Sequence, residues 1–498
     1  MKNMKSMNKI NNKTNGKNNN KKNDIGIYID IPFCKSKCSY CVFPTYVIKN
    51  NNNLLKEYIE SLKYEISNYD KKIILNNNEN ILYLKENIYK RPVSSIYIGG
   101  GTPSYINYMY IIELLELIYY NFHVLKNAEI TIEINPDDVC IEMLEAFKAS
   151  GINRVSLGLQ STNNNILKHA KRRYNFEEFK DSISIIKKYF SNISVDIILG
   201  LPYETVTSFK KTISDISNFN FLKHLSAYEY ILDENSLVYN SYALYDNLPS
   251  EEDIREMKNI LKREMKESGY IHYEISNYAK DINHISKHNY NCWNHKEYVG
   301  FGLSSASFLN GYRFVNSNKL NTYIKENNSN TKILNNNKLQ TTTISHLDEN
   351  LNIEEYIKDL LFVKLRTANG ISYTKIFKEL YNFKNDIDDI KITKEEHILI
   401  TKIAKFLNQN TKENLLVYAS DSYNFDNMKI ANIEDMFKIM PKKKKMKTIK
   451  KKIHLNNYNI NLNNNMIMTT YKSTYKYICN PKYIFYGEDS VFPKILLI

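Results

Sequence analysis

Between about residues 25 and 235 the chain alternates short β-type runs with amphipathic helical patterns, and no other feature limits its fold so strongly. The β-type runs fall at 26–31, 94–98, 129–134, 154–159, 193–199 and 224–231. Between the first two, Leu55, Tyr58, Ile59, Leu62 and Ile66 recur at the i, i+3, i+4 spacing of a helix with one apolar face. Further helical patterns cover 106–120, 137–150 and 176–190. Repeated βα units require parallel strands joined by right-handed crossovers. The expectation is an α/β fold: a partial (β/α)6 barrel over 25–310, then an Asn-rich linker (311–344) and a smaller, mainly helical domain (345–498).

Barrels of this kind place their functional residues at the strand C-termini. The unusual residues of this chain gather there. Cys34, Cys38 and Cys41 follow the first run, and "GGGTPS" (Gly99 to Ser104) follows the second. Glu133 and Asn135 end the third, Gly158 and Gln160 the fourth, Asp196 to Pro202 the fifth, and "SAYEY" the sixth.

The formal net charge of +14 is confined to two places. Residues 1–24 carry seven Lys and one Asp, residues 441–452 carry eight Lys and no acid, and together they account for all of it. The body shows no basic face, so no nucleic-acid partner is expected. Residues 1–24, with nine Asn and little to bury, are expected to be a disordered tail. No apolar run is long enough to cross a bilayer, and the N-terminus lacks a secretory h-region. Six cysteines in 498 residues do not make a secreted disulfide framework, which leaves a reducing compartment, cytoplasmic or mitochondrial.

Three of those six cysteines stand within eight positions as C-x3-C-x2-C. Three thiolates are one ligand short of a closed zinc site or a ferredoxin-type cluster. Either a distant residue completes a zinc site, or an iron is left open for chemistry. Cys140 and Cys479 have no partner in sequence, and Cys140 falls on the apolar face of a predicted helix.

The segment "YIDIPFCKSKCSYCVF" resembles the signature of radical S-adenosylmethionine (SAM) enzymes, in the branch that contains HemN, an oxygen-independent coproporphyrinogen III oxidase, and HemW, a haem chaperone. The resemblance continues through "VSLGLQS", "DIILGLPYET", "YEISNYA" and "HNYNCWNHKEYVGFGLSSASF". It implies a 4Fe–4S cluster on Cys34, Cys38 and Cys41, with SAM chelating the open iron. Reduction of the sulfonium would then give methionine and a 5′-deoxyadenosyl radical. It assigns SAM contacts to Tyr28, Gly100, Gly101, Thr102, Glu133, Gln160, Arg172 and Asp196, and Arg173 leaves the choice of arginine open.

Two departures favour the HemW side. HemN-type enzymes carry a fourth cysteine two residues beyond the third, where this chain has Phe43, and a folded segment ahead of the cluster strand, where this chain has a polar tail. Asp30 replaces the histidine usual before "IPFC". HemW-like proteins carry an H-N-x-x-Y-W segment linked to haem binding; here it reads His288-Asn289-Tyr290-Asn291-Cys292-Trp293, which makes His288 and Cys292 haem-ligand candidates. His284, His288, Cys292 and His295 also share a helical spacing that would suit zinc, although the intervening Asn residues disfavour a helix. The function implied is a haem chaperone. The alternatives are coproporphyrinogen oxidation and RNA modification, for which the lysine runs are the sole support. The implied partners are haem or porphyrin, haem-accepting proteins and an electron donor of the ferredoxin or flavodoxin type; a homodimer is allowed.

Overall fold

The computed structural model describes residues 24–369, apart from short stretches within 50–52, 76–87, 336–342 and 351–365. The expected tail, save Asp24, and nearly all of the expected C-terminal domain lie outside the described residues. The six expected strands are present: β1 (Ile25–Ile31), β2 (Pro92–Gly100), β3 (His123–Ile134), β4 (Arg154–Gln160), β5 (Ile193–Leu199) and β6 (His224–Glu229). They lie side by side in sequence order, every neighbouring pair parallel. A seventh parallel strand, β7 (Tyr298–Phe301), pairs with the free edge of β1. Its register puts Tyr28 opposite both Tyr97 of β2 and Gly300 of β7.

Crossover helices follow the strands: α1 (Asn53–Ser67), α2 (Tyr108–Asn121), α3 (Ile141–Ala149), α4 (Phe176–Ile186) and α5 (Val206–Ser217). All seven residues of β1 are buried, as befits a strand covered on both faces. In α1 the buried apolar residues are Leu55, Tyr58, Ile59, Leu62 and Ile66, the set that the spacing selects. Helix α4 starts where Asn175 and Glu178 form a reciprocal capping box, and it buries Phe179, Ile183 and Ile186.

Two expectations need correcting. Cys140 is exposed rather than core, because Asn135-Pro136 opens a 3₁₀ turn and α3 begins only at Ile141. Residues 311–344 are not a bare linker. Strand Tyr312–Val315 pairs with Ala306–Leu309 and extends the main sheet, and helix Leu320–Glu326 buries Tyr323 beside Tyr58. Local Asn content misleads there, because Leu320 and Tyr323 find a partner surface far away in the chain.

One buried ion pair ties these additions to the barrel. Glu65 at the end of α1 meets Lys72, with both side chains fully buried. The Glu65 carboxylate also accepts from Asn316 Nδ2 (2.7 Å), Tyr323 Oη (2.7 Å) and Gly302 N (2.9 Å). Removing one partner of such a pair strands a charge, whereas replacing both with apolar groups is close to neutral. Lys72→Met is therefore expected to lower unfolding free energy by about 3–5 kcal/mol. Adding Glu65→Leu should recover part of that loss, which urea denaturation midpoints of the single and double variants will measure.

Candidate cluster and cofactor site

The cysteine loop is closed at its base by backbone bonds. Beyond β1 the chain forms a short bridge, Phe33–Cys34, that pairs with the returning Tyr46–Val47. Tyr46 N–H reaches Pro32 O at 2.7 Å and Ile48 N–H reaches Cys34 O at 3.3 Å. Ser39, between the second and third cysteines' positions, is pinned outside the loop: its N–H donates to Ala170 O (3.1 Å) and its Oγ to His169 O (2.9 Å). Its carbonyl accepts from Val238 N (3.2 Å).

The three thiols face one region. Burial, with Cys41 and Cys38 nearby, pushes Cys34 up to about 12 despite the Thr102 hydroxyl donating to its sulfur at 3.4 Å. Burial and then Cys38 raise Cys41 as well. Among the described residues no three His, Cys, Asp or Glu side chains converge as tightly as a single ion requires, those of the 284–295 segment included. A four-iron cube needs a wider cage, because each thiolate binds a separate iron. The donor set, three sulfurs on one rim loop, fits such a cluster.

Beside this loop lies a glycine cradle. Gly101 N–H donates to Ile31 O and Thr102 N–H to Phe33 O, both at 2.9 Å. A Cβ on Gly101 would sit 2.8 Å from Phe33 N, so the backbones meet only because that side chain is absent. Gly100 has φ +111°, and a Cβ there would lie 2.8 Å from the Asp30 carboxylate. Gly99 lies equally close to Glu133, whose carboxylate a Cβ would meet at 3.0 Å. The glycines thus bring the loop, Asp30 and Glu133 together.

The acids are buried, and Arg154 is the cation whose field reaches Asp196. Burial, followed by the field of Asp196, pushes Glu133 up to about 8, although Tyr97 Oη donates to it at 3.0 Å. Burial likewise raises Asp196, which accepts from Ser156 Oγ (2.7 Å) and Ser194 Oγ (3.1 Å). Tyr28 is buried three residues before the end of β1 and donates to Asp30 at 3.4 Å, its ring stacked 6.2 Å from Tyr97. A cation nearby favours the ionised form of a buried carboxyl. That suits the sulfonium and ammonium of SAM.

Gln160 ends β4 with φ +70°, an uncommon conformation for a non-glycine residue, at an irregularity in the β4–β5 pairing. Its amide folds over Gly158, where a Cβ would lie 2.9 Å from Gln160 Nε2 and 3.4 Å from Arg172. The structure separates the two candidate arginines. Arg172 points inward: Nη1 donates to Cys38 Sγ and Tyr40 Oη, both at 3.2 Å, Nε to Tyr174 Oη at 2.9 Å, and Nη2 to Asn135 Oδ1. Arg173 points outward and pairs with Asp137. Tyr40 and Tyr174 are not among the rim residues that the sequence marks, whereas Asn135 is, at the end of the third run; Tyr174 stands two residues beyond Arg172.

The haem-ligand candidates sit elsewhere. Helix α6 (Lys287–Trp293) lies under the barrel, and His288 is 1% exposed. Its Nδ1 meets Ser95 Oγ at 3.1 Å, and its ring lies 5.5 Å from Tyr97 and 6.5 Å from Tyr28. Burial holds His288 down to about 3, so the imidazole is neutral. Cys292 is partly exposed one turn further on, its thiol pushed up to about 12 by burial. The helix is clamped from below: Arg366 covers the Trp293 ring at 4.5 Å, and Asp359 accepts from His295 (2.8 Å) and Arg313 (2.6 Å).

A β/α barrel with three thiols on one rim loop, beside a glycine turn and buried acids, has the form of a radical SAM-type barrel. Residues 28–216 match the model of the radical SAM superfamily. Over 56% of this chain and 69% of the relative, the sequence is 35% identical to the protein named haem chaperone HemW of Buchnera aphidicola (Schizaphis graminum). It is 30% identical to the HemW of Lactococcus lactis over 71% of this chain and 86% of that one. The fold is similar to that of coproporphyrinogen III oxidase (HemN) from Escherichia coli, with a TM-score of 0.58, 20% identity, and coverage of 78% and 83%. The chain belongs to the radical SAM superfamily, in its HemN/HemW branch.

Two outcomes follow. At pH 8 a thiol with a pKa near 12 is thiolate about 10³-fold less often than free cysteine, so iodoacetamide should label Cys34 of the cluster-free protein on the order of 10³-fold more slowly. Because the thiolate is the ligand, iron–sulfide uptake should quicken as pH rises. Second, a charge-assisted hydrogen bond contributes about 1.5–3 kcal/mol, so Arg172→Gln should weaken SAM binding to the reconstituted protein by at least ~10-fold. Arg173→Gln should leave it unchanged, as equilibrium dialysis with radiolabelled SAM will show.

Proposed function

We propose that this chain is a SAM-dependent iron–sulfur protein that binds haem and passes it to acceptor proteins. Cys34, Cys38 and Cys41 would hold the cluster. The Gly99–Thr102 backbone, Glu133, Gln160, Arg172 and Asp196 would hold SAM. When bound, this pair supplies one-electron cleavage of the sulfonium, with the electron drawn from a ferredoxin- or flavodoxin-type donor. The chain's own residues orient and shield: Arg172 keeps the Cys38 sulfur in place, and Tyr97 and Ser156 hold the two acids that receive the cationic ligand.

The observation that carries the reading is the pairing of Phe43, where the oxidases have a fourth cysteine, with likeness to two proteins named haem chaperones. His288 is the proposed haem ligand, through a neutral imidazole. No helix among the described residues is long and apolar enough to cross a membrane. The reconstituted protein should show a haem Soret band that His288→Ala loses, and no protoporphyrinogen on anaerobic incubation with coproporphyrinogen III, SAM and dithionite. Turnover of that substrate, or a Soret band unchanged in His288→Ala, would refute the assignment.

A further inference from the structure

Two of the three rim sulfurs accept side-chain hydrogen bonds, and both bonds trace back to one guanidinium. Arg172 Nη1 donates directly to Cys38 Sγ at 3.2 Å. Its Nη2 donates to Asn135 Oδ1, which settles which end of that amide is the oxygen. Asn135 Nδ2 therefore donates to Thr102 Oγ1 (3.3 Å), and the Thr102 proton is left to donate to Cys34 Sγ (3.4 Å). The direction of every bond in this branch is dictated by chemistry. Arginine only donates, an amide oxygen only accepts, and a hydroxyl that has accepted still has its proton to give.

The guanidinium is committed almost wholly to the chain itself. Nη1 also meets Tyr40 Oη (3.2 Å), and Nε meets Tyr174 Oη (2.9 Å), whose own proton goes to Gly158 O. The Tyr174 ring lies 4.8 Å from the guanidinium carbon. With Cys38 and Asn135, these contacts use every N–H of Arg172 except one on Nη2. A single N–H remains for a ligand, so most of what this side chain does is done to the cysteine loop.

We propose that Arg172 is a positioning residue that raises the reduction potential of the cluster, acting directly on Cys38 and through Asn135 and Thr102 on Cys34. The inference rests on the cluster reading above and asks nothing of the haem assignment. An added electron makes a thiolate-ligated cluster more negative, and part of that charge falls on its sulfurs. Donors aimed at those sulfurs, with a fixed positive charge behind them, stabilise the reduced state more than the oxidised one. Net charge and hydrogen bonds to sulfur are the levers that set such potentials. The two arms of Arg172 supply both, and they bring the cluster within reach of a protein electron donor.

The test uses the full chain, reconstituted free of oxygen and titrated with redox mediators in the absence of SAM. Electron paramagnetic resonance reads the reduced cluster, and iron per chain checks loading. At the wild-type midpoint, Arg172→Gln should lower the ratio of reduced to oxidised cluster by at least ~10-fold, as loss of a charge-assisted bond would. For one electron, tenfold is about 59 mV. Thr102→Val and Asn135→Leu cut the same branch at two places, so each should lower the ratio about 5-fold. The double variant should fall no further than the lower of the two. Arg173→Gln, on the outward side chain, should not move it. If Arg172→Gln fails to take up iron, the two branch variants carry the test. Loaded variants that all keep the wild-type midpoint overturn the proposal, and so does a shift in Arg172→Gln that neither branch variant follows. A wild-type chain that takes up no iron and sulfide would instead sink the cluster itself.

Discussion

The rim depends on one close approach, that of the backbone at Gly101 to the backbone at Phe33. Two hydrogen bonds of 2.9 Å join the end of β2 to the root of the cysteine loop, and a single methyl group at position 101 would part them. From this contact the rest follows. Thr102 is brought to the Cys34 sulfur, Gly100 settles over Asp30, and Gly99 lies against Glu133. The glycines at this turn serve close contact of backbone and side chains within the chain. Any account of them as ligand-facing alone misses half of their work.

Inside the barrel the chain keeps acids where an apolar core would be more stable. The fields of Asp196 and then Asp30 add to the cost of ionising the buried Glu133. Arg172, the nearest rim cation, is already committed to Cys38, Tyr40, Asn135 and Tyr174. A cavity edge built this way gains most from a ligand that carries positive charge.

Much of this architecture is legible in local pattern. The six strands and the first four crossover helices lie where alternation and i, i+3, i+4 spacing put them, since both periodicities arise from backbone geometry within a few residues. Six polar groups at six strand ends mark one rim for the same reason. The expectations fail where the partner surface comes from elsewhere. Cys140 reads as helix core until Pro136 is seen to delay the helix, and residues 311–344 read as linker until Tyr323 is seen against Tyr58.

The residue types and their spacing were enough to establish a βα barrel, a three-thiol loop and the acids that face it, because each of these is a short-range property of the chain. Which of two adjacent arginines turns inward and whether His288 meets solvent depend on the cysteine loop, β2, β3, β4 and the 287–293 segment arriving at one place. No local rule carries that information, since contacts between residues a hundred positions apart are set only when the barrel closes and water is expelled from its interior.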